Sequence, residues 1–237
     1  MKKILILDCG SRFIDRLENP IHDENAETAI LTVPMQGNVR PVEARYPIMH
    51  DIAAIDEIEP AGVVISGSPY YIYTKQGRVP PAGFLETIMR KKLPLLGICG
   101  GHELLAHLFA LQYSKEQPSR VVGANPLGKH EPEVITSNPC EFTRDLDNEA
   151  AKSCGNIIFD GLSRTFPVWM YHVHQVLVLP SNCISLGSTP DTAIAAIAYC
   201  KPLEPVSFMF GVQFHPEVSP RKTRRQIFSN FVGLCAD

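Results

Sequence analysis

The chain has 237 residues, of which 45% are hydrophobic and 20% are charged, and its formal net charge is -3. This length suits one sizeable α/β domain, so we expect residues 1–237 to fold as a single domain. The small negative charge argues against a nucleic-acid-binding protein, and no apolar run approaches the roughly 20 residues that cross a bilayer. Seven irregularly spaced cysteines, with no C-x-x-C pair and no export signal, favour reduced thiols in a cytoplasmic protein.

The first half of the chain alternates short apolar strands with helices. Four runs are typical of parallel strands buried on both faces: KILILD (3–8), TAILTV (28–33), GVVISG (62–67) and LPLLGI (93–98). Helical spacing follows at 81–92 and at 101–113, where one face would hold Leu104, Leu105, Leu108, Phe109 and Leu111. This order predicts a doubly wound, mostly parallel sheet that binds ligands at the carboxyl ends of its strands.

The second half is less regular. Residues 114–156 are polar and rich in turns; the one strand that can be assigned there is near 133–136, and the charged segment 139–154 is predicted to be an exposed inserted loop. Extended pieces at 167–173, 175–180, 193–199 and 208–214 predict further, partly antiparallel strands, and 219–235 predicts a closing helix.

Cys99 is the first candidate functional residue. It follows an apolar strand and precedes a helix, with Gly97, Gly100 and Gly101 around it, as a nucleophile elbow requires. The start of the helix favours a reactive thiolate, and the N–H of Gly100 can face a developing oxyanion. A buried cysteine at an ordinary tight turn explains this stretch equally well.

A base for such a nucleophile is available in GVQFHPEV (211–218). His215 and Glu217 are two residues apart, and in an extended segment they project to the same side. The carboxylate can then orient the imidazole as the third member of a triad does. The loop from Ser66 to Pro69 follows a buried strand and can supply oxyanion donors, although S-G-S-P is also a plain turn.

Together these stretches resemble the class I (triad) glutamine amidotransferases, and most closely the glutaminase domain of GMP synthetases. The resemblance rests on ILILDCGS (4–11), ISGSPYYIY (65–73), GICGGHELLA (97–106), VWMYHVHQVLVLP (168–180) and GVQFHPEVSP (211–220). It implies a flavodoxin-like fold with added antiparallel strands, no cofactor or metal ion, and L-glutamine or a related γ-glutamyl substrate. It also implies release of ammonia to a synthetase, here expected to be a separate ATP-dependent subunit because no such domain follows within the chain.

The resemblance further implies a role for individual residues. Cys99 would be the nucleophile, His215 the general base and acid, and Glu217 the orienting carboxylate. Backbone N–H groups of Ser68 and Gly100 would form the oxyanion hole. The substrate would be bound by residues of three segments, namely Gly67, Glu103, Tyr171, His172, Val173 and His174.

Two of these positions depart from the family pattern. The elbow usually reads C-x-G-x-Q, but Glu103 replaces the glutamine, and an ionised carboxylate only accepts hydrogen bonds and opposes a nearby thiolate. The usual S-H-G-D becomes Tyr171 to His174, without its acidic residue.

Three functions therefore remain open. They are a glutaminase that supplies a synthetase, a stand-alone cysteine hydrolase of other γ-glutamyl amides or peptides, and a non-catalytic regulatory relative. A metal site at His172, His174, His215 and Glu217 is a further alternative, but it would leave the elbow unexplained.

Overall fold

The computed structural model describes residues 1–35, 45–72, 74, 77–113, 117–124, 140–181, 183–199 and 208–235. Its strands are β1 (Lys2–Asp8), β2 (Ala26–Thr32), β3 (Gly62–Ile65), β4 (Leu95–Ile98), β5 (Val122–Ala124), β6 (Cys140–Arg144), β7 (Thr165–Val168), β8 (His174–Val176), β9 (Cys183–Thr189), β10 (Thr192–Tyr199) and β11 (Met209–Val212). Its α-helices are α1 (Glu18–His22), α2 (Ala53–Ile58), α3 (Phe84–Lys91), α4 (Gly100–Tyr113), α5 (Pro118–Val121), α6 (Glu149–Ile158) and α7 (Arg221–Leu234). No helix in these ranges is both long and apolar enough to cross a membrane.

Nine of the strands form one mixed sheet in the order β2-β1-β3-β4-β11-β10-β9-β6-β7. The first five strands in this order are parallel to one another, and the pairings from β11–β10 onward are antiparallel. The expected α/β fold with a mostly parallel sheet and added antiparallel strands is therefore confirmed. Strands β5 and β8 form a separate two-stranded ribbon.

The parallel part of the sheet is apolar because helices cover both of its faces. Along β1, Ile4 and Ile6 pack into one cluster with α1 and α7, while Leu5 and Leu7 pack into another with α3 and α4. All four side chains are fully buried, and each such burial stabilises the fold by about 1.5–3 kcal/mol. This two-sided core holds the carboxyl ends of β3, β4 and β11 side by side.

Three details of the predicted elements were wrong. The run 28–33 is not buried on both faces, because β2 is an edge strand and most of its side chains are half-buried. Segment 139–154 is not an exposed loop, because it contains β6, which pairs with β7 and β9 in the main sheet, and the start of α6. Leu111 does not share the buried face of α4: its side chain is 57% exposed, because the last turn of this helix emerges from the core. The strand assigned near 133–136 lies outside the described residues.

Candidate active site

Cys99 occupies the turn between β4 and α4 with a φ of 51°. A positive φ is uncommon for a residue with a side chain and is typical of a nucleophile elbow. The turn is held on both sides, since the Cys99 N–H donates to the carbonyl of Val212 at 2.8 Å and the Glu103 N–H donates to the carbonyl of Cys99 at 3.1 Å. The strain is thus maintained by the sheet and by the first turn of α4.

Strand register brings the other candidate residues to the same edge of the sheet. Ile98, the last residue of β4, pairs with Val212 of β11, so the segment leading to His215 begins beside Cys99. On the other side of β4, β3 ends at Ile65 and leads directly into the loop from Ser66 to Pro69. The order of three parallel strands therefore assembles the site.

His215 and Glu217 form a buried pair. His215 Nδ1 lies 2.7 Å from Glu217 Oε1, and the two residues are 3% and 1% exposed. The segment is not extended throughout as expected: a 3₁₀ turn at Pro216–Val218 follows His215 and brings the carboxylate back to the ring. The backbone of His215 is anchored as well, since its N–H donates to the Trp169 carbonyl at 2.8 Å and its carbonyl accepts from Ser219 Oγ at 2.7 Å.

The electrostatics of this pair favour a protonated imidazole. Burial lowers the pKa of His215, but the charges and hydrogen bonds of Glu217 and Cys99 outweigh it and hold that pKa well above its usual value. Nε2 makes no hydrogen bond of ordinary geometry to a described residue. A protonated imidazole beside Cys99 is a candidate general acid.

The loop after β3 lies against both the elbow and the imidazole. A Cβ atom on Gly67 would lie 3.0 Å from His215 Cε1 and 3.6 Å from Cys99 Cβ, and one on Gly100 would lie 2.6 Å from the Ser68 nitrogen. Glycine at these two positions permits the close approach. Because Ser68 and Gly100 are in direct backbone contact, their N–H groups are candidate donors to an oxyanion formed at Cys99.

Glu103 is buried one turn after the nucleophile and is linked to it by Gln213, a residue that the sequence analysis missed. Gln213 Nε2 donates to Glu103 Oε1 at 3.0 Å and lies 4.0 Å from Cys99 Sγ. Burial raises the pKa of Glu103 to about 7, against the lowering effect of the Gln213 hydrogen bond. The position of Gln213, two residues before His215 in GVQFHPEV, is the feature that could have identified it.

Of the four residues expected in the segment after β7, Tyr171 contacts the nucleophile directly. The Cys99 thiol donates a hydrogen bond to the Tyr171 carbonyl, with 3.5 Å between Sγ and the oxygen. The His172 ring bonds the His174 carbonyl and Thr192, and the His174 ring stacks on Tyr71 at 4.0 Å. Val173 is half-buried. Burial, with a smaller effect of the nearby His215 charge, lowers the pKa of His172 to about 4.

Two further residues of the site come from the loop after β1. The Phe13 ring lies edge-on to the His215 ring at 4.9 Å, and Arg12 Nη1 donates to Tyr171 Oη at 2.9 Å. Sequence reasoning missed both of them, although the rule that ligands bind at the carboxyl ends of parallel strands points to this loop.

The alternative metal site does not form. The described residues contain no group of three His, Cys, Asp or Glu side chains arranged to hold a metal ion. Nδ1 of His215 is bound to Glu217, and both ring nitrogens of His172 already have partners.

Comparison with known proteins gives the family of this chain. The family model for class-I glutamine amidotransferases matches residues 5–234. The chain belongs to the class-I glutamine amidotransferase family. Its sequence identity to individual relatives is low. The chain is 27% identical over 234 residues to a glutamine-hydrolysing GMP synthase of Helicobacter pylori, and 25% identical over 236 residues to one of Thermosipho melanesiensis.

These alignments cover 99% and 100% of this amidotransferase but only 36% of each relative, so the chain spans about a third of their length. A putative GMP synthase subunit of Thermoplasma acidophilum has a similar structure, with a TM-score of 0.67, 21% identity, and coverage of 99% of this chain and 94% of that one. A glutamine amidotransferase of Thermotoga maritima gives a TM-score of 0.58 at 18% identity, over 98% and 84% of the two chains. At these identities the two structures establish the shared fold alone.

Proposed function

We propose that this class-I glutamine amidotransferase hydrolyses the side-chain amide of L-glutamine to glutamate and ammonia through a thioester on Cys99. The observation that supports the proposal most directly is the buried 2.7 Å contact between His215 and Glu217, in the segment that follows the strand next to the Cys99 elbow. A buried carboxylate on the far nitrogen of an imidazole is the arrangement that orients a general base and stabilises its protonated form.

In the proposed mechanism, the thiolate of Cys99 attacks the amide carbon, and the carbonyl oxygen takes up the negative charge. The N–H groups of Ser68 and Gly100 stabilise this oxyanion. Collapse of the tetrahedral intermediate breaks the C–N bond, and His215 Nε2 gives its proton to the leaving nitrogen, which departs as ammonia. His215 then removes a proton from water, which attacks the thioester and releases glutamate and the thiolate.

The ammonia would pass to a separate ATP-dependent synthetase. One observation supports this: the similar Thermoplasma acidophilum protein, 94% of which is covered, is itself a putative GMP synthase subunit. Co-purification of a synthetase that stimulates ammonia release would test this part of the proposal.

A second candidate function is hydrolysis of other γ-glutamyl amides or peptides without a synthetase. It is favoured by the buried Glu103, whose carboxyl group shares the Gln213 amide with Cys99. A carboxyl at this position offers different hydrogen bonds from an amide and so would select a different substrate.

The test is release of ammonia and glutamate from L-glutamine by the wild-type protein and by Cys99→Ala. Cys154→Ala, a half-buried cysteine on α6, is the matched control and should keep full activity. Release that survives Cys99→Ala would exclude the thioester mechanism. Release of amines from γ-glutamyl amides, with none from glutamine, would select the second function.

A further inference from the structure

The guanidinium of Arg12 lies at the rim of the active site, and Tyr171 is its hydrogen-bond partner there. Its Nη1 donates to Tyr171 Oη at 2.9 Å, and its Cζ lies 5.4 Å from the centre of the Tyr171 ring. The carbonyl of the same tyrosine accepts a hydrogen bond from the Cys99 thiol. One residue thus links the guanidinium to the nucleophile.

The charge of Arg12 is not neutralised within the described part of the chain. The acidic residues of the same loop are engaged elsewhere: Asp8 accepts from the Gly10 N–H at 2.8 Å, and Asp15 pairs with Arg45 at 2.6 Å. A guanidinium has five N–H donors in a rigid fork, and the contact to Tyr171 uses one of them. The remaining donors are available for a planar anion.

The rings of Phe13 and Tyr171 form an aromatic wall that runs from the His215 ring to this cation. The Phe13 ring lies 4.9 Å from the His215 ring and 6.0 Å from the Tyr171 ring, and the Tyr171 ring lies 6.5 Å from His215. His215 must face the leaving nitrogen in order to protonate it. A substrate seated on Cys99 and against His215 therefore extends along this wall toward Arg12.

The chemistry of γ-glutamyl compounds supplies a matching anion. Such compounds carry a carboxylate only a few bonds, about 4–6 Å, from the scissile carbonyl carbon. The carboxylate is either the α-carboxylate of the glutamyl group or that of an amino acid leaving group. Arginine binds carboxylates through paired N–H donors, and a guanidinium already held by a tyrosine loses less conformational entropy on binding.

We propose that Arg12, positioned by Tyr171, binds a carboxylate of the γ-glutamyl substrate. This inference rests on the proposed function and extends it to the recognition of the substrate. Arg12 is then a binding residue, and Tyr171 is the residue that positions it.

The test compares KM and kcat for substrates with and without each carboxylate. L-Glutamine is paired with its α-carboxamide, and γ-glutamylglycine is paired with γ-glutamylglycinamide. Arg12→Gln is expected to raise KM about ten- to hundredfold for the carboxylate that Arg12 binds, with kcat nearly unchanged and no effect on the matching carboxamide. Arg12→Lys should restore part of the loss, and Tyr171→Phe should raise KM by a smaller factor.

In one of the two substrate pairs, Arg12→Gln should abolish the difference in KM between the carboxylate and the carboxamide. That pair identifies which carboxylate Arg12 binds. Arg16→Gln, an exposed arginine four residues along, is the control and should change neither constant. The proposal is overturned if Arg12→Gln affects the carboxylate and the carboxamide equally, or affects neither.

Binding to the Cys99→Ala protein separates this proposal from the proposed function. Calorimetric titration with the same four compounds needs no turnover. Affinity that depends on Arg12, in a protein whose wild-type form hydrolyses none of them, would support the carboxylate site and contradict the proposed function. Turnover or binding that is indifferent to Arg12 would refute the carboxylate site alone, and absence of both binding and turnover would refute both.

Discussion

The exchange Glu103→Gln should change the stability of the protein in a way that depends on pH. Glu103 is 5% exposed, and the one hydrogen bond its side chain receives from the described residues is that of Gln213. Burial raises its pKa from 4.5 to about 7, so ionisation costs more in the folded than in the unfolded chain. Glutamine has nearly the same shape and cannot ionise, so the folded variant is not destabilised by a buried charge at this position.

The sign and size follow from the two pKa values. Below pH 4.5 the carboxyl is protonated in both states and the wild type has its full stability. As the pH rises through 4.5 toward 7, the unfolded chain ionises first and the folded state loses stability relative to it. One pKa unit corresponds to about 1.4 kcal/mol, so the wild type should lose about 2–3 kcal/mol relative to Glu103→Gln between about pH 5 and pH 8.

The assay is urea unfolding at these two pH values under reducing conditions, followed by the fluorescence of Trp169, the single tryptophan of the chain. Groups that titrate in both proteins, His215 among them, cancel in the comparison. Glu57→Gln, the same exchange at an exposed position of α2, reports the effect of the substitution chemistry alone. A wild-type-to-variant difference that agrees within about 0.5 kcal/mol at both pH values would refute the assignment of a buried, destabilised carboxylate to Glu103.

Three further outcomes are expected. Glu217→Gln should lower kcat/KM by about 10²- to 10⁴-fold and bring the pKa of His215 down, as read from its imidazole resonances by NMR; an unchanged imidazole titration would contradict the pairing. Gly100→Ala should reduce activity at least about tenfold without loss of circular dichroism, because the added Cβ would lie 2.6 Å from the Ser68 nitrogen; full activity would mean that Ser68 is not a donor there. Phe214→Ala should lower the free energy of unfolding by about 3–5 kcal/mol in urea titrations, since Phe214 is fully buried against Phe142; a loss below about 1 kcal/mol would show that the site collapses freely.

The sequence predicts the parallel half of the fold well, because each element there is defined locally. Helices cover both faces of the sheet, so its central strands are apolar at nearly every position. The sequence shows this directly as continuous apolar runs at 3–8, 62–67 and 93–98. The antiparallel half is poorly predicted, because its strands are short and their stability depends on partners distant in the chain. Strand β6 in the polar segment 139–154 is one example, since its pairing with β9 cannot be inferred from its own residues.

Part of the candidate site can likewise be predicted from local sequence, and part of it cannot. Cys99 can be found from the glycines around it, because a nucleophile elbow requires a tight turn. His215 and Glu217 can be found because they are two residues apart, and a carboxylate that orients an imidazole must lie close to it. The contact of Gln213 with Glu103 and that of Arg12 with Tyr171 each join residues more than 100 positions apart. The order of the strands brings these residues together, so their contacts cannot be inferred from the sequence around either partner.

The pairing of β4 with β11 has a consequence for how the protein is made. The strand that presents Cys99 has one neighbour, β3, available early in synthesis, but its other neighbour begins at Met209. Until that strand leaves the ribosome, one edge of β4 has unpaired backbone groups and can associate with other exposed strands. A nascent chain therefore holds an incomplete and aggregation-prone sheet for nearly half of its translation, from Ile98 to Met209 of 237 residues. The imidazole reaches the thiol when that edge closes.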